Sequence, residues 1–220
     1  MKKKQYVMVV NTDKCIGCKT CTIACNTENS ILTTRTWQIV LDSVQGKYPD
    51  YKRVFFARPC MHCEKHPCVE VCPTGASYEK EEYGVVLVDQ NKCIGCRSCM
   101  TACPYEVRVF NWETPQNMLT ENPVVPVRTI GVVEKCTFCI HRLEDAHRKD
   151  LQIGTTIRQR DKYEVVVPAC VQECVGNALY FGDINDSESE VFELLKKHKY
   201  KRLAEEAGTE PNVYYITNEG

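Results

Sequence analysis

The 220-residue sequence predicts an α+β fold in which short strands and helices surround repeated cysteine motifs. Two observations support this class. Short apolar, β-branched runs at residues 6–10 and 84–89 are typical of strands. Each run is followed by a cysteine motif of the same spacing, so strand and motif together form an internal repeat.

The repeated motif has the spacing C-x2-C-x2-C-x3-C, with which bacterial ferredoxins hold [4Fe–4S] clusters. It occurs twice, at Cys15, Cys18, Cys21 and Cys25, and at Cys93, Cys96, Cys99 and Cys103. A tight turn directs the first three thiolates at one cubane, and the fourth Cys points toward a neighbouring cluster. Gly17 and Gly95 are predicted to allow close backbone approach, because glycine has no Cβ.

In the N-terminal half, the sequence predicts a strand over residues 5–11 and a helical turn from near Lys19 that carries Cys21 and Cys25. Further strands are predicted at 37–41 and 54–57, separated by a loop at 45–50 because of its Gly and Pro content. The second motif follows as C-x2-C-x4-C-x3-C-P and comprises Cys60, Cys63, Cys68 and Cys72. A strand over 84–89 then leads into the third motif.

In the C-terminal half, residues 107–112 are predicted to form a strand, and the Pro-, Asn- and Thr-rich segment 114–129 an insertion loop. Residues 137–149 read as a charged helix and 151–162 as a polar excursion. A helix is predicted from Ser187, with Glu190 completing a capping box, and residues 213–216 form a final strand or extended tail. The fourth motif is split into two pairs, Cys136 with Cys139 and Cys170 with Cys174.

The four motifs account for all sixteen cysteines. We pair the second motif with the third and the first with the split fourth. If three Cys of one motif and the fourth Cys of its paired motif hold one cluster, as in two-cluster ferredoxins, four [4Fe–4S] clusters result. We name them cluster 1 (Cys15, Cys18, Cys21, Cys174), cluster 2 (Cys25, Cys136, Cys139, Cys170), cluster 3 (Cys60, Cys63, Cys68, Cys103) and cluster 4 (Cys72, Cys93, Cys96, Cys99). Four self-contained sites, one for each motif, are the alternative.

Two other uses of cysteine remain open at this stage. Zinc sites also contain C-x2-C pairs, but a third Cys after two residues and a fourth after three is not a zinc-finger spacing. Disulfide frameworks are usually found in secreted chains under about 100 residues. The spacing therefore favours iron–sulfur clusters over both.

Other residues near the motifs have simpler interpretations. Six apolar residues between the thiolates are expected to exclude water: Ile16, Ile23, Val69, Val71, Ile94 and Val171. His62, His66 and His141 neighbour Cys ligands, but a role beside the clusters is favoured over ligation. Lys14, Lys19, Lys92 and Arg97 flank the motifs on what is expected to be a solvated face.

The sequence shows no catalytic or export signal. There is no nucleophile–base pair, phosphate-binding glycine loop or nucleotide fingerprint, so no catalytic residue is predicted. A basic start is followed by an apolar run too short for a signal peptide, and no run approaches the length of a transmembrane helix. We therefore expect a soluble chain. Its net charge of −1 gives no indication of a nucleic-acid partner.

The motif order and three phrases, KCIGCR at 92–97, ACPY at 102–105 and KCTFC at 135–139, resemble one family. This family comprises the iron–sulfur (beta) subunits of dimethyl-sulfoxide-reductase-type molybdopterin oxidoreductases. The C-terminal segment 203–216 resembles the polysulfide, thiosulfate and respiratory arsenate reductase branches. In nitrate-reductase-type relatives a Trp replaces one Cys of the third motif; here all four are present, which implies four cubanes.

The resemblance implies two ferredoxin-like modules: residues 1–52 with 130–220, and residues 53–113, joined by the loop 114–129. It implies an electron-transfer subunit that relays electrons in anaerobic respiration between a molybdopterin (Mo or W) catalytic subunit and a quinone-reactive membrane subunit. By analogy, cluster 1 faces the catalytic subunit and cluster 4 the membrane side.

The same resemblance implies a membrane-associated complex on either membrane face, because such subunits are often exported with a signal-bearing partner. A stand-alone polyferredoxin, or a carrier linked to a hydrogenase or formate dehydrogenase, is the alternative function. A zinc-dependent scaffold is a third possibility, which metal analysis separates from the other two.

Overall fold

The computed structural model describes residues 4–31, 34–113, 122–154 and 165–217. Its strands are β1 (Tyr6–Asn11), β2 (Ile39–Lys47), β3 (Asp50–Arg58), β4 (Ser77–Lys80), β5 (Val85–Val88), β6 (Val109–Phe110), β7 (Val133–Glu134), β8 (Leu179–Asp183), β9 (Tyr200–Lys201) and β10 (Val213–Ile216). Its helices are α1 (Thr20–Glu28), α2 (Pro67–Glu70), α3 (Ser98–Thr101), α4 (Ile140–Arg148), α5 (Ala169–Gln172) and α6 (Glu190–Lys197), with a 3-10 turn at Glu205–Ala207. The chain is thus a mixed α/β structure, as the sequence predicts.

The largest sheet joins the two ends of the chain. Its strand order is β8-β1-β10-β9, with β1 parallel to β10 and antiparallel to β8. All six residues of β1 are buried, because core lies on both faces of this central strand. The predicted N-terminal strand and the predicted tail at 213–216 are therefore neighbours in one sheet.

The hairpin of β2 and β3 corrects the predicted loop at 45–50. Pairing continues out to Lys47 and Asp50, so only Tyr48 and Pro49 form the turn. The glycine that suggested a loop, Gly46, instead lies within β2 and pairs with Tyr51. Glycine occurs within strands as well as in loops, where the backbone takes an unusual local conformation. Gly46 has such a conformation, with φ +87°.

Two other predicted elements are shorter in the structure. The strand expected at 107–112 is reduced to Val109–Phe110, because among the described residues it pairs with the two-residue strand β7 alone. The C-terminal helix begins at Glu190 rather than Ser187; its N-cap is Ser189, and no side-chain capping bond forms. The predicted capping box is therefore wrong. Residues 114–121 of the predicted insertion loop and residues 155–162 of the predicted polar excursion lie outside the described residues.

The main apolar core surrounds the cysteines rather than standing apart from them. It combines β1 and β10 with Cys21, Cys25, Cys60, Cys136 and Cys170. A second, smaller core packs α6 against the other face of the sheet through Val191. Within the described residues, no helix combines the length and apolarity needed to cross a membrane.

Candidate metal centres

The first motif is a turn fixed by two left-handed residues. The chain leaves β1 and turns through Gly17 at φ +70°, and Lys19 at φ +60° is the N-cap of α1. A Cβ at Gly17 would lie 2.6 Å from the Phe55 ring. Cys21 and Cys25 follow on α1, and both are buried. Glycine is required here by the backbone conformation and by the neighbouring ring.

The third motif repeats this conformation. Gly95 has φ +71°, and Arg97, the N-cap of α3, has φ +64°. A Cβ at Gly95 would lie 2.2 Å from the carbonyl oxygen of Gly131, so this turn is packed directly against backbone. The repeat read from the sequence is therefore a repeat of backbone geometry as well.

The other two motifs are held by short helices. In the second, Cys68 lies on α2 and Cys72 follows two residues after its end. In the split motif, Cys139 is the N-cap of α4 and Cys170 lies on α5, which packs against α1. This packing places Cys170 near Cys25, although the two are far apart in the sequence.

Three cavities are each lined by four cysteines, three from one motif and one from another. One is lined by Cys15, Cys18, Cys21 and Cys174, a second by Cys60, Cys63, Cys68 and Cys103, and a third by Cys72, Cys93, Cys96 and Cys99. Within the described residues, no cysteine group has the geometry to hold a single metal ion, so the four thiols of each cavity border a shared space instead of converging on one ion.

The remaining four cysteines form a completely buried group. Burial and then the neighbouring Cys136 and Cys139 raise the pKa of Cys25 well above its usual range. Burial and then Cys139, Cys25 and Cys136 do the same for the pKa of Cys170. The structure therefore brings together the set named cluster 2, and none of the sixteen cysteines, all of them described, forms a disulfide.

The thiol pKa values fit ligands that lose their protons only when a metal binds. Burial raises the pKa of Cys21 to about 11 and that of Cys63 to about 12. The exposed Cys18 is the opposite case, since hydrogen bonds from Thr20 lower its pKa. A bound metal stabilises the thiolate, so loading of the buried sites is expected to release protons.

Backbone N–H groups donate to ligand sulfurs in three of the groups. The bonds run from Ala178 to Cys174 (3.3 Å), from Phe138 to Cys136 (3.4 Å) and from Ser77 to Cys72 (3.4 Å). Such bonds stabilise negative charge on sulfur and, when a cluster is bound, set its reduction potential.

Side-chain amides near the sulfurs were not identified from the sequence. Asn29 lies with its Nδ2 3.8 Å from the Sγ of Cys25 and 3.9 Å from that of Cys139. The buried Gln38 places its Nε2 4.0 Å from the Sγ of Cys21. Gln38 lies 17 residues from its partner, so no local sequence signal links the two.

Each of the three histidines near the motifs contacts a protein group. His62 is fully buried, accepts a bond from the Val86 N–H at Nδ1 and stacks on Phe138. His66 contacts the Cys63 carbonyl, and His141 lies 2.6 Å from Glu28.

The four basic residues that flank the motifs are exposed, as expected for a solvated face: Lys14, Lys19, Lys92 and Arg97.

The expectation that six apolar residues exclude water from the sites is wrong for most of them. Only Val171 is buried. Val69 is partly buried, whereas Ile16, Ile23, Val71 and Ile94 are exposed, Ile94 by 67%. Ile16 and Ile94 each border a cysteine-lined cavity but remain largely exposed, so they do not seal it from water.

Comparisons with known proteins agree with this geometry. The family described as "4Fe-4S dicluster domain" matches residues 51–120. A selenate reductase subunit of Mesobacillus selenatarsenatis is 41% identical over 97% of this chain and 72% of its own. A putative dimethyl sulfoxide reductase iron–sulfur subunit of Halobacterium salinarum is 37% identical over 97% and 79%. The iron–sulfur cluster-binding subunit of menaquinone reductase from Nitratidesulfovibrio vulgaris is 41% identical over 98% and 89%.

Proposed function

The chain belongs to the family of iron–sulfur subunits of dimethyl-sulfoxide-reductase-type oxidoreductases, and we propose that it relays single electrons through four [4Fe–4S] clusters. The three cavities, each lined by three Cys of one motif and the fourth Cys of another, carry this proposal. A bound cluster accepts and releases one electron; the chain holds it, limits its contact with water and sets its potential.

The ligand sets that we propose are those of clusters 1 to 4. Clusters 1, 3 and 4 correspond to the three cavities, and cluster 2 to the completely buried group. The interactions that cross between motifs favour shared ligation over four self-contained sites. Cys15 and Cys21, for example, each interact with Cys174 from the opposite end of the chain.

The contacts between sets order the clusters in a line. Cys21 of cluster 1 and Cys25 of cluster 2 lie one turn apart on α1. Cys136 of cluster 2 interacts electrostatically with Cys60 of cluster 3. Clusters 3 and 4 are joined by α2 and α3, which pack together. The order is therefore 1-2-3-4, with clusters 1 and 4 at the ends.

Both ends of this line carry exposed apolar residues. Ile16, Ile23 and Val175 lie beside cluster 1 and are 55–66% exposed. Ile94, Trp112 and Ile130 lie near cluster 4 and are 54–67% exposed. Because apolar patches on a protein surface mark interaction sites, we propose a docking surface at each end.

We propose a molybdopterin catalytic subunit as the partner at the cluster 1 end and a quinone-reactive membrane subunit at the cluster 4 end. Relatives named as subunits of selenate reductase and menaquinone reductase support both kinds of partner. The chain would then lie in a membrane-associated complex of anaerobic respiration, on either the periplasmic or the cytoplasmic face.

We also propose the module boundaries 1–52 with 130–220, 53–113 and the loop 114–129. The four-stranded sheet supports the first module, since all its strands come from those segments. The two modules share one continuous core, so they would not move as independent units.

Anaerobic affinity purification from the native organism tests the function. We expect a brown complex with a second subunit that yields a fluorescent pterin after oxidation. A cluster-bearing chain recovered as a pterin-free monomer would contradict the partner assignment and favour a stand-alone polyferredoxin or a hydrogenase- or formate-dehydrogenase-linked carrier.

A further inference from the structure

Arg108 is a buried cation with one donor that makes no close hydrogen bond. It is 4% exposed and lies between Cys103 and β6. Its Nη1 donates to the Ser77 hydroxyl at 2.9 Å, while its buried Nη2 has no close acceptor among the described residues. The guanidinium also acts on the Cys68 and Cys99 thiols, where it opposes the rise in pKa that burial causes. Because a buried donor without a close acceptor is costly, Nη2 is placed to donate to a sulfur once these thiols are ionised.

The surroundings of Arg108 belong to two cysteine sets at once. The residue lines the cavity of cluster 3. Its charge interacts first with Cys68 of cluster 3 and next with Cys99 of cluster 4. Its partner Ser77 donates a backbone N–H to Cys72, a further member of the cluster 4 set. One guanidinium therefore reaches both sites.

We propose that Arg108 is a cation shared by clusters 3 and 4 that raises the reduction potentials of both. This inference rests on the cluster assignment proposed above. Reduction adds negative charge to a cluster, and a buried positive charge beside it favours that state. The guanidinium stays protonated at every accessible pH, so the effect is permanent rather than switched. Its free Nη2–H would donate to a sulfur of the bound clusters.

Arg97 provides a matched control. It also lies beside cluster 4, next to Cys96, but it is exposed. Its guanidinium stacks over Trp112 and Phe110, with its central carbon 5.0 and 5.4 Å from the two ring centroids. Because water and salt screen an exposed charge, its removal should change the potentials far less than removal of Arg108.

The experiment is a redox titration of the cluster-loaded chain, followed by electron paramagnetic resonance. Arg108→Gln should lower two of the four midpoint potentials. At a fixed applied potential, the ratio of oxidised to reduced cluster should change at least tenfold for each of the two, which corresponds to about 59 mV for a one-electron couple. The two centres should be those that Cys63→Ser and Cys96→Ser perturb. Arg108→Lys, which keeps the charge, and Arg97→Gln should each change the ratio less than about threefold, the same relation giving about 28 mV.

Iron and sulfide analysis of the unmodified chain separates this inference from the function on which it rests. A chain without clusters would overturn both. A fully loaded Arg108→Gln chain in which only one potential falls, or neither, would overturn the inference alone. If Arg108→Gln does not retain its clusters, the neutral Arg108→Met decides by the same criterion: a tenfold or larger fall of two potentials supports the shared charge, and a fall of one or neither contradicts it.

Discussion

The Cys136 thiol interacts electrostatically with the Cys60 thiol, although the two come from the split fourth motif and the second motif. Burial, and next the charge of Cys60, raise the pKa of Cys136 to about 12. This interaction links the set of cluster 2 to that of cluster 3, and so links the two halves of the proposed electron path. Loss of cluster 2 should therefore interrupt the proposed electron path while clusters 1 and 4, at its two ends, remain.

Cys136→Ser should therefore interrupt electron transfer at the middle of the line. We expect loss of about four irons, one cubane, while the other three sets keep theirs. Reduction of cluster 4 by a donor at the cluster 1 end should slow about 10- to 100-fold, the range by which mutations around metal sites commonly reduce activity. Stopped-flow absorbance measures this, and Cys96→Ser, at the far end, is the control that should leave clusters 1 to 3 reducible. Unchanged transfer through Cys136→Ser would contradict the order.

Gly95→Ala should destabilise the third motif more than Gly75→Ala destabilises the second. Both glycines have positive φ, +71° and +65°, so each alanine incurs about 1–2 kcal/mol of backbone strain. Only at Gly95 would the new Cβ also meet a backbone oxygen, that of Gly131 at 2.2 Å. We expect a loss of about 3 kcal/mol or more at Gly95, measured by denaturant unfolding. Equal losses at the two positions would contradict the packing described here.

Glu28 should stabilise the fold above mildly acidic pH. It is half-buried, which raises its pKa, but hydrogen bonds from His141 and Arg142 outweigh this and lower the pKa to about 2. Because the folded pKa lies below the unfolded value of about 4.3, the stabilisation is complete above that value and is lost as pH falls toward 2.

Glu28→Gln should therefore reduce the free energy of unfolding at pH 7 by about 2 kcal/mol, allowing for partial exposure. The difference in the free energy of unfolding between Glu28→Gln and the unmodified chain should stay constant from pH 7 to 5 and become smaller below pH 4.5. Thermal unfolding at a series of pH values measures this difference. The exposed Glu206→Gln should change the free energy of unfolding by less than about 0.5 kcal/mol. A difference that grows on acidification would contradict the ion-pair account.

The two apolar ends should contact different partners. Ile23→Lys should release the partner at the cluster 1 end, and Ile130→Lys the one at the cluster 4 end; both side chains are more than half exposed and neither lines the cysteine cavity at its end, so stability and iron content should not change. A buried charge at an interface costs several kcal/mol, so we expect at least about 100-fold weaker association by size-exclusion titration. If both variants release the same partner, the assignment of the ends is wrong.

The sequence was informative where chemistry fixes the spacing. Motif spacing revealed the repeated turns that contain Gly17 and Gly95, and ferredoxin pairing led to the sets that the cavities bring together. It was uninformative where contacts are distant. Nothing local distinguishes the buried Arg108 from the exposed Arg97, because the partner of Arg108, Ser77, lies 31 residues away. The extent of the β2–β3 hairpin likewise depends on pairing across the turn, which composition does not report.

Metal and sulfide analysis of the anaerobically purified chain, with electron paramagnetic resonance of the reduced sample, tests the central claim most directly. The account predicts about sixteen irons and sixteen labile sulfides per chain, four of each for every cubane, and four reducible paramagnetic centres. A folded, colourless chain that contains zinc without sulfide, or no reducible centre, would contradict it.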